Sequence, residues 1–434
     1  MSVEMSTALT EKRINELAHE KAEPDWLLDW RLKAFRAFEA AKLPKWDRTN
    51  IDFIRFETIE PFRAPAFSGD GKDLPADLQK VVQSVDEDGA LLIQLDSGIA
   101  FRQLPKELAE QGVIFTSLEE AAREHPELVR EHLGQVILPD EDKLLALHAA
   151  FAAGGAFVYV PKNVKVKQPL QFYVYSETDG LGLFPHILIV ADEGSEVAFV
   201  DSYRSGEADN HIVSQAFEIV AKDNARVTLG TVQGWGERTV AFHTRRARIG
   251  RDASVKLTLG ELGSQLTRSS NRMFLDGDGS EARALMVFFG DQEQHLDVGL
   301  VMTHVGEHTT SDMLTKGVLK DKARGVYRAL TDIEDKARNT TAFQRENTLV
   351  LSPEARIDAI PGLEIEETEV QAGHAATVGQ IDEDELFYLM SRGLTEQAAT
   401  KLVVDGFFDP ILQRIPLESA RVELQALIDR KMLR

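Results

Sequence analysis

The sequence predicts a mainly β chain: a coil of short stacked strands, with a mixed helical region before it and a small helical region after it. Three observations predict this. Apolar residues alternate with a period of two from Phe157 onward, in short stretches led by Val197, Val227, Val255 and Ala282, at steps of 30, 28 and 27 residues. Each stretch follows a turn of small and charged residues, such as Asp192-Glu193-Gly194-Ser195 or Lys222-Asp223-Asn224-Ala225. Helical periodicity is confined to the two ends. Strands that short, with no helix between them, cannot form βαβ units, and a near-constant step points to rungs that stack on their neighbours. An irregular β-sandwich is the competing architecture.

The elements follow in order. Met1 to Thr7 read as a polar, frayed start. Leu17, Trp26, Leu27, Trp30, Leu32, Phe35 and Phe38 recur at helical spacing, with Pro24 suited to a first helical turn and Pro44 closing the pattern. Residues 51–103 mix short alternations (Leu91-Leu92-Ile93-Gln94-Leu95) with turn residues. Ser117 and Glu120 form a capping-box pair opening a helix to about Leu133, and a further helix covers Glu141 to Ala153. After Ala282 the series continues at Ile357, across a longer gap holding one more turn at Lys322-Ala323-Arg324. Past Gly379 the helical period returns. Asp382 and Glu385 cap one helix, Gly393 ends it, Thr395 caps the next, a third runs through Phe407, Ile411 and Leu412, and Ser419 opens the last. The expected units are 1–155, 156–379 and 380–434.

Composition narrows the function. With 49 Lys and Arg against 71 Asp and Glu, the net charge of −22 repels phosphate backbones and anionic membranes alike. There are no cysteines, which removes disulfides, thiol nucleophiles and thiolate ligands. No long apolar run or signal peptide is present, so the expected compartment is the cytoplasm. Gly69-Asp70-Gly71-Lys72-Asp73 lacks the spacing and hydroxyl of a phosphate-binding loop, and no serine elbow or dinucleotide fingerprint is found. Asp276-Gly277-Asp278-Gly279 reads as a tight turn, since the later acidic ligands of a calcium loop are missing.

Histidines are the remaining candidates for chemistry. His304 and His308 stand four apart, the spacing of a zinc-binding helix, but Gly306 and the β pattern oppose a helix there. They define the alternative function, a metal-dependent enzyme with a histidine site on a solenoid face. His374 sits in Gln371-Ala372-Gly373-His374-Ala375-Ala376, where small neighbours allow another backbone to approach its imidazole. A neutral imidazole there suits ferrous iron or a cluster edge, or else a structural hydrogen bond.

The stretch "LSPEARIDAIPGLEIEETEVQAGHAATVGQIDEDELFYLMSRGLTEQAATKLVVDGFFDPILQRIP", within Leu349 to Pro416, strongly resembles the SufB/SufD family of iron–sulfur cluster assembly scaffolds. So do "SDMLTKGVLKDKARGVYRAL" (Ser311 to Leu330), "EPDWLLDWRLKAFRAF" (Glu23 to Phe38), "LPKW" (Leu43 to Trp46) and "GVIFTSLEEAAREHPELV" (Gly112 to Val129). The resemblance implies a right-handed parallel β-helix between helical domains, and a non-catalytic scaffold role. It implies pairing with SufB through the last rungs, and docking of the SufC ATPase on the C-terminal helices, for which Phe387, Leu389, Met390 and Phe407 are the expected contacts. It further implies that iron or a nascent iron–sulfur cluster is held only transiently, at the SufB interface, with no cofactor tightly bound by this chain alone. Where SufB-like members carry a cysteine this chain has Ala355, so the pattern is SufD-like, with His374 as the expected interface ligand. The open end of such a solenoid invites self-pairing into a homodimer in the partner's absence, without the sequence deciding it.

Overall fold

The computed structural model describes residues 8–63, 71, 74–206 and 209–434. Met1 to Thr7, and the Gly69–Asp73 loop apart from Gly71, lie outside them.

The N-terminal region supplies helices α1 (Glu11–Glu20), α2 (Asp25–Ala40) and α3 (Ala76–Ser84), strands β1 (Ala90–Leu95) and β2 (Gly98–Gln103), and then helix α4 (Lys106–Glu110). Strand β3 (Ile114–Thr116) follows, then helices α5 (Leu118–Glu124), α6 (Pro126–His132) and α7 (Lys143–Phe151). Three details differ from the sequence reading. Pro24 is the N-cap of α2, not its first helical residue, because the chain turns between α1 and α2. Ser117 does cap α5, accepting from the Glu120 N–H at 3.1 Å. The Glu120 carboxylate turns instead to Arg102 and the Thr116 hydroxyl, and Pro126 breaks the expected single helix in two.

The coil comprises β4 (Gly155–Val160), β5 (Leu170–Ser176), β6 (Gly182–Leu183), β7 (His186–Ala191), β8 (Glu196–Ser205), β9 (Ile212–Ala221) and β10 (Arg226–Gly234). It continues through β11 (Val240–Ile249), β12 (Ser254–Glu261), β13 (Leu266–Leu275), β14 (Glu281–Gly290), β15 (His295–His304) and β16 (Thr310–Leu319). It ends with β17 (Arg324–Ile333), β18 (Thr341–Val350), β19 (Arg356–Ile365) and β20 (Gln371–Gly379). Successive coils alternate between two sheets. One runs β2-β1-β5-β8-β10-β12-β14-β16-β18-β20 and the other β19-β17-β15-β13-β11-β9-β7-β4-β3. All pairings within the coil are parallel, so the rod is a parallel β-solenoid of about eight turns, each rung rising about 4.8 Å.

Alternation fixes which side chains fill the lumen. In the first sheet Phe199, Leu229, Leu257, Ala284, Met313, Gln344 and His374 stack in one column. Turns between the sheets stack as well. Gly194, Asn224, Asp252, Gly279, His308 and Asn339 all adopt positive φ. The amide of each donates to a carbonyl of the next turn, from Gly194 to Asp223 down to Asn339 to Glu369. Gly, Asn and Asp accept that left-handed backbone most readily, which is why the turns were legible.

The repeat reading needs one correction. Ala282 stacks on Ser311, Ser311 on Ala342 and Ala342 on Ala372, whereas Ile357 lies in the other sheet, over Gly325 and Leu296. Each rung carries two long strands, so two series of turns interleave along the chain and the steps of 30, 28 and 27 residues trace one of them.

The lumen is apolar at most levels but holds a charged cluster midway. Burial by itself raises the Glu261 carboxyl, yet His243 and Arg245 outweigh it and hold the group at about 2. Arg245 Nη1 lies 3.1 Å from Glu261 Oε1.

After the rod come α8 (Glu383–Ser391), α9 (Glu396–Leu412) and α10 (Glu418–Leu433). Thr395 caps α9, which continues over Pro410 to Leu412, so the second and third expected C-terminal helices are one. Leu417, not Ser419, is the N-cap of α10. Val404, Phe408, Ile411, Leu424 and Ile428 pack on Val232, Val287 and Phe289 of the first sheet's outer face. Glycines permit the close approach: a Cβ at Gly260 would lie 2.6 Å from Leu424 Cδ1. No helix among the described residues is long and apolar enough to cross a membrane.

Candidate functional site

The terminal rung, formed by β19 and β20, has one strand neighbour per strand in the sheets and none beyond it. In a parallel ladder the N–H and C=O of one residue point the same way and alternate along the strand. Gln371 N–H donates to Thr340 O at 2.9 Å, toward the rod. The same side therefore takes Gly373, Ala375 and Thr377, while Ala372, His374, Ala376 and Val378 present their backbone groups to the open edge. On β19 Arg356 N–H donates inward to Ala323 O. The outward set is then Ile357, Ala359, Pro361, Leu363 and Ile365. Pro361 leaves a gap in that row, because it has no N–H to offer. The continuous row of outward donors belongs to β20.

Apolar side chains gather at this end. Phe343 is 47% exposed, Ile360 38%, Ile365 42% and Val378 52%. An unpaired edge with exposed apolar side chains is a template for another chain.

His374 is the last member of its lumen-facing column, and is exposed where the sheet ends. Beneath it Gln344 closes the lumen, with Nε2 donating to the Gly362 carbonyl across the rung at 3.1 Å. One column over, burial pushes the Glu346 carboxyl up, and it accepts a hydrogen bond from the Thr348 hydroxyl. Ala355 sits in the turn leading into β19 and offers a methyl group to the end of the core. Among the described residues no group of three or more His, Cys, Asp and Glu could hold a metal ion. His374 is the one imidazole on this terminal rung.

The His304–His308 pair is not a metal site. His304 is buried in the lumen, with Nδ1 2.7 Å from the Thr309 hydroxyl and Nε2 2.8 Å from the Ser311 hydroxyl. Burial lowers its imidazole to about 4. His308 takes the left-handed turn position, φ 57°, and points to solvent. Their spacing comes from a strand entering a turn, not from one face of a helix.

The C-terminal residues separate into two groups. Phe387 is 72% exposed and Met390 43%, and half-buried Leu389 lies between them on α8. Phe407 lies elsewhere: its ring packs on Phe408, with Lys316 Nζ 4.6 Å from its centroid and 2.6 Å from its carbonyl. It belongs to the seam between α9 and the sheet. Tyr388, Leu394 and Leu402 are also exposed around α8 and α9 and escaped the sequence reading. Helical spacing marks apolar residues without saying whether anything covers them.

Comparison with known proteins agrees with this architecture. Residues 11–172 match the family model described as SufBD protein N-terminal region, and residues 173–407 match the SUF system FeS cluster assembly, SufBD core domain. The chain is 36% identical to the iron-sulfur cluster assembly protein SufD of Bacillus subtilis, over all of both chains. It is 32% identical to an iron-sulfur cluster assembly SufBD family protein of Staphylococcus epidermidis, covering 98% of this chain and 93% of that one. A Staphylococcus haemolyticus member of the same description is 32% identical at the same coverage. With both family models matched in succession, and a SufD matched from end to end, the chain belongs to the SufB/SufD family.

Proposed function

We propose that this chain is a SufD-like, non-catalytic scaffold subunit for iron–sulfur cluster assembly in the cytoplasm. It pairs through its terminal rung with SufB and carries the SufC ATPase on its C-terminal helices. The observation that supports this best is the open row of β20 backbone groups, with His374 on the same strand. A strand added there extends the sheet and brings the partner's side chains over the lumen mouth. The cluster, or iron on the way to it, is cargo at that joint. The soft sulfur ligands that such cargo requires must come from the partner, since this chain has no cysteine. Without SufB, the same edge is open to a second copy of this chain.

Reconstitution with SufB and SufC tests the ligand role. His374→Ala assembles as wild type, because the imidazole is exposed and makes no contact the rod depends on, while cluster yield falls at least about tenfold. Iron and sulfide analysis of the purified complex gives the answer. Unchanged cluster content in an intact complex would leave His374 with no part in holding cargo.

Docking of the ATPase is tested on α8. Phe387→Asp weakens SufC binding by about 30-fold, the effect of losing an apolar anchor of about 2 kcal/mol. Its circular dichroism and melting temperature stay those of wild type, since the side chain is mostly in solvent. The same change at Phe407 instead disturbs the α9 seam. If Phe387→Asp still retains SufC at wild-type affinity, the docking surface lies elsewhere.

A further inference from the structure

Far from the rod end, a buried chain of ionisable groups joins the N-terminal region to the second sheet. His148 lies on α7, His186 opens β7 and Glu218 stands on β9, and they are 1%, 2% and 0% exposed. Glu218 Oε1 accepts the Gly134 N–H at 2.8 Å and lies 3.0 Å from His186 Nε2. Its Oε2 accepts the N–H groups of Val136 and Ile137 at 2.8 and 2.9 Å. His186 Nδ1 faces His148 Nε2 at 3.1 Å, and His148 Nδ1 faces the Ser214 carbonyl oxygen at 2.6 Å.

Proton counting decides the charge. Three backbone N–H donors occupy the Glu218 oxygens, a surrounding that favours the ionised carboxylate. A carbonyl oxygen can only accept. His186 Nε2 must therefore donate at one end of the chain and His148 Nδ1 at the other. The contact between the two rings needs a third proton. Two neutral imidazoles carry two protons between them, and three hydrogen bonds across four ring nitrogens need three.

We infer that the His148–His186 pair binds one proton beyond neutrality, with Glu218 as its counter-charge, and that this proton latches the segment 134–151 onto the rod. The surroundings place it on His186, beside the carboxylate. Burial, then the neighbouring His186 and the Arg31 guanidinium, push His148 down, so that ring is the neutral one. Arg31, from α2, is itself neutralised by Glu23 through contacts of 2.6 and 2.7 Å. His132 on α6 also feels the Glu218 charge. Burial keeps His132 low, and the charges around it are Glu131, Lys222 and Asp192. Trp30 covers His186 edge-on, with ring centroids 6.4 Å apart, and Phe184 does the same for His148.

Removing the proton sets two acceptors against each other in a dry interior, whichever bond loses it.

The test uses the full-length protein carrying ¹⁵N-labelled histidine, with long-range proton–nitrogen correlation spectra at pH 8. The signal assigned to His186 is expected to show both ring nitrogens protonated, a state told apart from any at His243, which lies beside Glu261. Glu218→Gln is expected to abolish the signature at pH 8. Should that variant not fold, the wild-type spectrum at pH 8 decides alone. Neutral rings at both His148 and His186 at pH 8 in the folded wild type would overturn the inference.

Discussion

Ala376→Pro leaves the solenoid standing and removes its partner. Proline lacks an N–H and is tolerated in a strand only where no ladder bond uses that group. By the alternation along β20, the Ala376 N–H faces the open edge, so nothing in the isolated chain depends on it. The rod already accommodates one such residue: Pro361 occupies an outward position on β19, opposite Ala329. The expected result is a melting temperature within a few degrees of wild type, and SufB affinity reduced at least about 30-fold, or roughly 2 kcal/mol. Ala375→Pro is the mirror case. Its N–H points toward β18, so its loss destabilises the last rung directly, and binding fails as a consequence. Paired titration calorimetry and thermal melts separate the two. Wild-type SufB binding by a folded Ala376→Pro protein would show that the β20 edge is not the joint.

Which β20 amides face outward is set by strand pairing, and no sequence pattern carries it. The solenoid was legible because Asp, Asn and Gly mark the left-handed turn positions at Gly194, Asn224, Asp252 and Gly279. The series was lost where His308 takes the same backbone conformation. A β-branched or aromatic residue at a left-handed position gives no local cue, and neither does histidine between Glu307 and Thr309. The second sheet stayed hidden because its strands alternate as the first sheet's do, and only pairing tells Ile357 from Ala372. His374 could be singled out by its small neighbours, yet its place at the head of a lumen column follows from register alone. The His148–His186–Glu218 chain had no signal at all. Its members are far apart in sequence, and neighbouring strands of the sheet bring two of them together beneath a helix that carries the third. Phe387 and Phe407 looked alike as helical apolar residues, and what distinguishes them is whether the first sheet lies underneath.

Gly155→Ala should be among the most damaging single-methyl additions in the molecule, and the geometry says why. Helix α7 ends at Phe151, and the chain must turn at once into β4, the first strand of the coil in its sheet. Gly154 and Gly155 make that turn with φ of 75° and 91°. Their amides are held by side chains, Gly154 N–H by Glu119 Oε1 at 2.8 Å and Gly155 N–H by Gln94 Oε1 at 2.7 Å. A Cβ at Gly155 would lie 2.0 Å from the His186 carbonyl oxygen and 2.6 Å from its backbone nitrogen. Those are backbone atoms of the paired strand, in register with Gly155 itself, so no rotamer change relieves the clash. The left-handed conformation costs alanine about 1 kcal/mol, and separating β4 from β7 adds more, for a total above about 3 kcal/mol. Gly379→Ala is the control: φ is ordinary there and no atom lies within 4 Å of the new Cβ, so its effect stays within about 0.5 kcal/mol. Thermal melts and hydrogen exchange at β4 and β7 measure both. Wild-type melting of Gly155→Ala would mean that the first rung tolerates being pried open. The N-terminal helices would then be held to the rod by their side-chain contacts, the buried histidine pair among them, and not by this tight backbone junction.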